Sequence, residues 1–252
     1  MINVAGLSKS FSEKEGQLYA VKDLSFLAEN GEIVVLLGVN GAGKTTTMRM
    51  LSTVLKPTSG SASIEGFDIV REPQQVRAKL GFLSGDTGLY SRLTARETIT
   101  YFARLYDVKE PMIKQRINEL SEVLDMKDFL DKKIDMLSTG MKQKVSIARS
   151  IIHDPPVMIL DEPTAGLDIL TARNIVQFIH KCKEEGKCVL FSTHIMREAE
   201  RIADKIVMIH NGMLLAEGTW EQFKQETGLR DLDDIFVHFV NSLQDEGVED
   251  GS

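Results

Sequence analysis

A handful of residues in this 252-residue chain are of the types, and at the spacing, that phosphate chemistry needs. Gly38, Gly41, Gly43, Lys44 and Thr45 fit the pattern G-x-x-x-x-G-K-[ST] within IVVLLGVNGAGKTTTMRML. Glycines let successive backbone N–H groups face a triphosphate where a side chain would block the approach. A lysine at the end of that loop neutralises β- and γ-phosphates, and a threonine hydroxyl suits Mg2+. Asp161 and Glu162 follow the apolar run VMIL and add two carboxylates. One can hold Mg2+ through water, and the other can orient and deprotonate an attacking water. A lone Asp-Glu pair after a strand is usually a solvated turn. Together with a phosphate loop, it supplies the metal holder and water positioner that phosphoryl transfer requires. His194 ends CVLFSTH and is expected at the same edge, placed to sense a γ-phosphate.

A second anion site is written far downstream in LSTGMKQK, residues 137–144. Ser138, Thr139 and Gly140 read as a helix start, followed by Val145, Ala148, Ile151 and Ile152 on one face. Bare N–H groups at such a start, with lysines beside them, attract an anion. The chain therefore carries two phosphate-binding devices, and their coexistence needs a reason.

These groups require an α/β framework to position them. Ile33–Leu37 reads as a buried strand that turns at Gly38 into a helix with Met48, Leu51 and Leu55 on one face. Val157–Leu160, after Pro155 and Pro156, reads as a second strand, expected next to the first; 188–193 reads as a third. In parallel sheets ligands bind at the carboxyl ends of strands, so the three ends converge on one nucleotide. Upstream, Ile2–Leu7 and Tyr19–Phe26 read as strands joined by the polar stretch Ser12–Gln17. A short β unit follows at Gly60–Ile64, with turns at Gly66 and Asp68. From about Arg92 to Ile152 the pattern is helical and charged, an insertion between strands. A helix near Leu170–Glu185 stops at Gly186, and KIVMIHNGMLLAEG reads as a hairpin turning at Asn211–Gly212. The tail from Gln244 is acidic and poor in apolar residues, the composition of a disordered segment.

Bulk composition narrows the setting. A formal net charge of −7 argues against a general nucleic-acid binder. The beginning Met-Ile-Asn-Val has no charged leader and apolar stretch, so no signal peptide is expected. The longest strongly apolar run, Ile33–Leu37, is far shorter than a membrane span. Cys182 and Cys188 fall inside apolar patterns and are expected as buried free thiols of a soluble protein in a reducing compartment.

Over roughly residues 1–220 the sequence resembles the ATP-binding cassette (ABC) ATPases. GVNGAGKTT is similar to their Walker A motif, VMILDEP to Walker B with its catalytic glutamate, STH to the switch-histidine loop, and TAGLD, ending at Asp168, to the D-loop. LSTGMKQK resembles the ABC signature, usually LSGGQ, with Thr139 and Met141 as departures. The resemblance implies a P-loop NTPase, RecA-like core with an N-terminal antiparallel β subdomain and an inserted α-helical subdomain. Residues 1–91 and 153–220 would form the ATP-binding core with its β subdomain. Residues 92–152 would form the helical signature subdomain, and 221–252 a C-terminal helix with an acidic flexible tail. ATP and Mg2+ are the implied cofactors. Gly38, Asn40, Gly41, Ala42, Gly43, Lys44, Thr45 and Thr46 would bind the nucleotide, Thr45 and Asp161 the metal, and Glu162, His194 and Lys44 would be catalytic. Phe11 in LSKSF would stack on adenine, with Tyr19 as its local competitor.

The family also supplies a reason for the second anion site. Two cassettes pack head to tail, so Ser138 and the N–H groups at Gly140 of one would complete the cage around the γ-phosphate held by the other. One departure touches the metal. Gly85 stands where the family places a glutamine that contacts Mg2+ and links the insertion to the membrane partner; contact by Asp86, by water alone or by nothing stays open. The resemblance implies an ATPase subunit at the cytoplasmic face of the cell membrane, driving a separate integral membrane permease subunit. It would be a homodimer or paired cassette in the ATP-bound state, with no nucleic-acid partner. The overall sequence is most similar to subunits of the prokaryotic sodium-export and drug-export group, with sodium the preferred cargo. The rival is a soluble ABC ATPase acting on ribosomes or DNA. Such proteins usually carry two cassettes, or a long coiled-coil insertion, and basic surfaces.

Overall fold

The computed structural model describes residues 1–13, 16–85 and 88–249. Its centre is the strand β3 (Ile33–Leu37), every residue of which is fully buried. Alternate side chains leave opposite faces of a strand. Accordingly Ile33, Val35 and Leu37 join one hydrophobic cluster and Val34 and Leu36 another. A strand covered on both faces reads as a continuous apolar run, which is why IVVLL is legible as one.

β3 belongs to a six-stranded sheet with β6 (Leu80–Leu83), β7 (Val157–Asp161), β8 (Cys188–Thr193), β9 (Lys205–His210) and β10 (Met213–Gly218). Its order is β10-β9-β3-β8-β7-β6, with every neighbouring pair parallel except β9 and β10. This corrects one expectation. The strand ending in Asp161 is not adjacent to β3, because β8 lies between them and pairs with both. All three are uniformly apolar, so nothing local ranks them; the crossovers decide the order. The register nonetheless brings the three tips level, with Leu37 opposite Thr193 and Asp161 opposite Ser192.

A second, antiparallel sheet of order β2-β1-β4-β5 comprises β1 (Ile2–Glu13), β2 (Gly16–Ala28), β4 (Ser59–Ile64) and β5 (Phe67–Asp68). β1 and β2 run well past the expected Leu7 and begin well before Tyr19. Their outer halves pair Ser10 with Tyr19 and Phe11 with Leu18, alternating residues on a half-exposed ribbon whose hydrophobic signal is weak. Asp68 sits in a strand rather than a turn. The buried side chains of this sheet join those of α1 (Lys44–Leu51) and α2 (Pro73–Lys79) against the face of β3 that carries Val34 and Leu36.

On the other face lie the inserted helices α3 (Ala95–Leu105), α4 (Glu110–Val123) and α5 (Thr139–Ile151), with α6 (Ile169–Glu184), α7 (Met196–Ile202), α8 (Trp220–Thr227) and α9 (Leu232–Glu249). α3 starts at a capping box, Thr94 with Glu97, and α6 at Asp168, whose carboxylate accepts from the N–H groups of Leu170 and Thr171. The β9–β10 turn has Asn211 at φ 48° and Gly212 at φ 78°, the left-handed pair that a two-residue hairpin requires. The tail expected to be disordered from Gln244 instead continues α9 to Glu249. Leu232, Ile235 and Phe236 anchor that helix, and extending a nucleated helix is cheap. Among the described residues no helix is long and apolar enough to cross a membrane. Both cysteines are buried and unpaired, and burial pushes the Cys182 thiol up to about 12 and that of Cys188 to about 11. They stay protonated and unreactive at neutral pH.

Candidate active site

β3 delivers the chain to its carboxyl end, where residues 38–43 wrap round to the start of α1. Two of the glycines, Gly38 and Gly43, are there because backbone crowds them. A Cβ on Gly38 would stand 2.4 Å from the Ile209 carbonyl, and one on Gly43 would stand 2.6 Å from that of Ala20. Gly43 is also left-handed, at φ 104°, and no side chain caps the helix it precedes. The first N–H groups of α1 are thus left to an anion, at the positive end of the helix dipole. A cavity of about 170 Å³ opens there, lined by Asn40, Gly41, Gly43, Lys44, Thr45, Thr46 and Glu162, with Ala20 behind. Gly38 and Ala42 do not line it. Ala42 is buried in the core, and Gly38 offers its carbonyl instead.

Lys44 is 5% exposed and donates to the carbonyls of Gly38 (2.7 Å) and Val39 (3.2 Å). Its ammonium stands 3.4 Å from Oε1 of Glu162. The same Oε1 lies 3.2 Å from Nδ1 of His194. One carboxylate oxygen therefore meets the phosphate-loop lysine and the histidine from the tip of β8. Glu162 adopts φ 46°, uncommon for a residue with a side chain and the kind of local strain that functional sites hold. What holds it is Ser192, fully buried, whose hydroxyl accepts from the Glu162 N–H (3.0 Å) and donates to Oδ1 of Asp161 (2.7 Å). Sequence reasoning passed over Ser192. The signal was a hydroxyl inside an otherwise apolar strand, which a buried position must partner.

The signature segment lies elsewhere. Ser138 caps α5, accepting from the Met141 N–H at 3.3 Å, and it is exposed. Neither Ser138 nor Gly140 lines the phosphate cavity of its own chain. Gly140 packs against α6, where an added Cβ would come within 3.0 Å of Thr171. Thr171 in turn is bonded to Asp168, and Gln143 donates to the Pro163 carbonyl at 2.9 Å. The signature helix is thereby tied to the segment that follows Glu162. Phe11 is exposed on β1 and lines a larger cleft of about 690 Å³ that shares Thr46 with the phosphate cavity. Tyr19, on β2, is exposed to the same degree but does not line that cleft. Gly85 is an exposed turn residue with open space where a side chain would project. Asp86 lies outside the described residues.

Comparison with known proteins bears on this arrangement. The family model described as ABC transporter matches residues 21–165. The chain is 42% identical to the ABC transporter ATP-binding protein NatA of Bacillus subtilis, over 94% of this chain and 97% of that protein. It is 35% identical to the daunorubicin resistance ATP-binding protein DrrA3 of Streptomyces coeruleorubidus, over 90% of this chain and 71% of that one. A dimeric ATP-binding cassette solved in a post-hydrolysis state with ADP and Pi superposes with a TM-score of 0.78. It is 26% identical, over 87% of this chain and 98% of that one.

Proposed function

The chain belongs to the ABC transporter family as an ATP-hydrolysing subunit, and on that premise we propose how its residues divide the work. The triphosphate of ATP lies in the cavity at the start of α1, against the N–H groups of residues 40–46. Lys44 exchanges its two carbonyl contacts for phosphate oxygens, and Gly38 and Ala42 contribute through backbone shape alone. Glu162 takes a proton from the attacking water. His194 holds the orientation of that carboxylate and reaches the γ-phosphate from the tip of β8. The observation that carries this assignment is the shared oxygen of Glu162, 3.4 Å from Lys44 and 3.2 Å from His194.

Mg2+ fits the donor set in a restricted sense. Among the described residues no three His, Cys, Asp or Glu side chains gather to form a metal cage. Asp161 and the Thr45 hydroxyl suit an ion that completes its octahedron with phosphate oxygens and water, as Mg2+ commonly does. When bound, Mg2+ supplies neutralisation of charge developing between the β- and γ-phosphates.

The reading extends to partners. Residues 1–91 and 153–220 act as the nucleotide-binding body, 92–152 as the signature-bearing body, and 221–252 as a C-terminal extension. Ser138 and Gly140 serve the nucleotide of a second cassette packed head to tail, which the dimeric state of the solved relative supports. A separate membrane permease seats a segment in the 690 Å³ cleft between Arg49, Arg77, Phe82 and Tyr106. On this reading the protein works at the cytoplasmic face of the membrane. Sodium is the cargo we favour, from the resemblance of the sequence to the sodium-export and drug-export group; the similarity to the daunorubicin resistance protein DrrA3 supports drug efflux as the second reading.

Glu162→Gln tests the assignment. It keeps shape and hydrogen bonding but removes the base, so ATP should bind with unchanged affinity while turnover falls about a thousandfold. ATP hydrolysis at the wild-type rate in this variant would show that Glu162 is not the base.

A further inference from the structure

A second connection between the tips of β7 and β8 lies outside the phosphate cavity. Glu198, in the first turn of α7, accepts the hydroxyl of Thr164 on one carboxylate oxygen (2.5 Å) and that of Thr193 on the other (2.6 Å). Thr164 stands two residues after Glu162, and Thr193 immediately precedes His194. Both threonines are buried. Thr193 Oγ1 also accepts the N–H of Ile195, so the hydroxyl fixes the backbone on both sides of His194. Hydrogen bonds to an ionised carboxylate are short and strong. Here they join the two chain segments that carry Glu162 and His194.

We propose that Glu198 is a positioning residue for hydrolysis, a buckle that sets the separation of Glu162 and His194 by holding Thr164 and Thr193 at a fixed span. The inference rests on the reading of Glu162 and His194 as the reacting pair. The need for a buckle is visible in both partners. Glu162 has a left-handed backbone that relaxes unless it is held, and His194 is exposed, so its ring is not confined by packing. Ser192 restrains the β7 side at Asp161 and Glu162, but no contact of Ser192 reaches His194. Glu198 supplies the restraint on the histidine side, and a small displacement there is costly for a proton transfer.

The alternative is that Glu198 only stabilises α7 as a negative charge in its first turn. Two conservative replacements separate the ideas. Glu198→Gln keeps the length and can bond both hydroxyls, accepting from one and donating to the other, but loses the charge. Glu198→Asp keeps the charge but is one methylene too short to span both. If Glu198 acts as a spacer, Glu198→Ala and Glu198→Asp should lower kcat about tenfold to a hundredfold with ATP affinity unchanged, and Glu198→Gln should recover most of the loss. If it acts only through its charge, Glu198→Asp should remain near wild type and Glu198→Gln should resemble Glu198→Ala, which overturns the proposal. Thr164→Val and Thr193→Val, each removing one hydroxyl, serve if a Glu198 variant fails to fold. Each should lower kcat, and wild-type kcat in both would equally overturn it. Glu162→Gln in the same assay keeps the two levels apart. If it is inactive while the Glu198 and threonine variants are fully active, only the buckle falls; if it is active, the reacting pair itself falls.

Discussion

Two helix starts in this molecule use the same physics in opposite settings. α1 begins at Gly43 with no side-chain cap, and its N–H groups open into a cavity already furnished with Lys44, Thr45 and Glu162. α5 begins at Ser138, also without an acidic residue in its first turn, but Ser138 is exposed and does not line the phosphate cavity of its own chain. At α1 the counter-charges are built in; Lys44 is 5% exposed and occupied by two carbonyls. At α5 Ser138 caps the helix start on the exposed surface, accepting from the Met141 N–H. The contrast is what the proposed division of the phosphate-binding machinery expects: one half complete within the chain, the other offered to a second cassette.

The largest expected effect lies at the complete half. Lys44→Ala should weaken ATP binding about a hundredfold, because the triphosphate loses its one buried cation in the cavity. Equilibrium nucleotide titration measures this, and an unchanged affinity would break the contrast at its stronger end.

A smaller effect concerns what seats the other half. At the far end of α5, His153 stacks on Tyr106 with ring centroids 3.7 Å apart, and both its ring nitrogens are buried. Burial holds the imidazole well down, at about 4. The unfolded chain therefore takes up a proton near pH 6.5 that the folded chain refuses until about pH 4. Stability from this group is complete above pH 6.5 and is lost as pH falls through that window, about 3 kcal/mol in all. Thermal melts from pH 7 to 4 should show the loss, and His153→Phe, which keeps a ring on Tyr106, should flatten it. Amide exchange should find the loosening around α3 and α5 rather than around α1.

How far these halves can be read from sequence differs too. The complete half was almost wholly legible, because IVVLL is apolar throughout, VMILD and CVLFST are apolar runs ending in polar residues, and Gly38 and Gly43 sit where backbone allows no Cβ. Sheet order was not legible, since three equivalent apolar strands carry no local label of their neighbours; hence the unexpected place of β8. Nor were Ser192 and Glu198. A serine two residues before His194 and a glutamate in a short helix look ordinary until the register brings Asp161 and Thr164 beside them. The signature start was legible as a capped helix, but its packing through Gly140 on Thr171 is a contact between segments far apart in sequence. The outer halves of β1 and β2 were missed because their alternation is polar on both edges, and the last turns of α9 because acidic composition masks a helix already nucleated upstream.

The divided site is tested most directly by mixing two defective chains. Ser138→Arg spoils only the exported half and Lys44→Ala only the resident half. Each alone should fail to form an ATP-dependent dimer, although Ser138→Arg should bind ATP normally as a monomer. In a head-to-tail heterodimer both defects fall in one composite site, leaving the opposite site with an intact Lys44 and an intact Ser138. Size-exclusion chromatography of the mixture with ATP should therefore recover a dimer fraction that neither chain gives alone. No recovery, together with weakened ATP binding by the isolated Ser138→Arg monomer, would mean that the signature serves its own chain's nucleotide and would contradict the account.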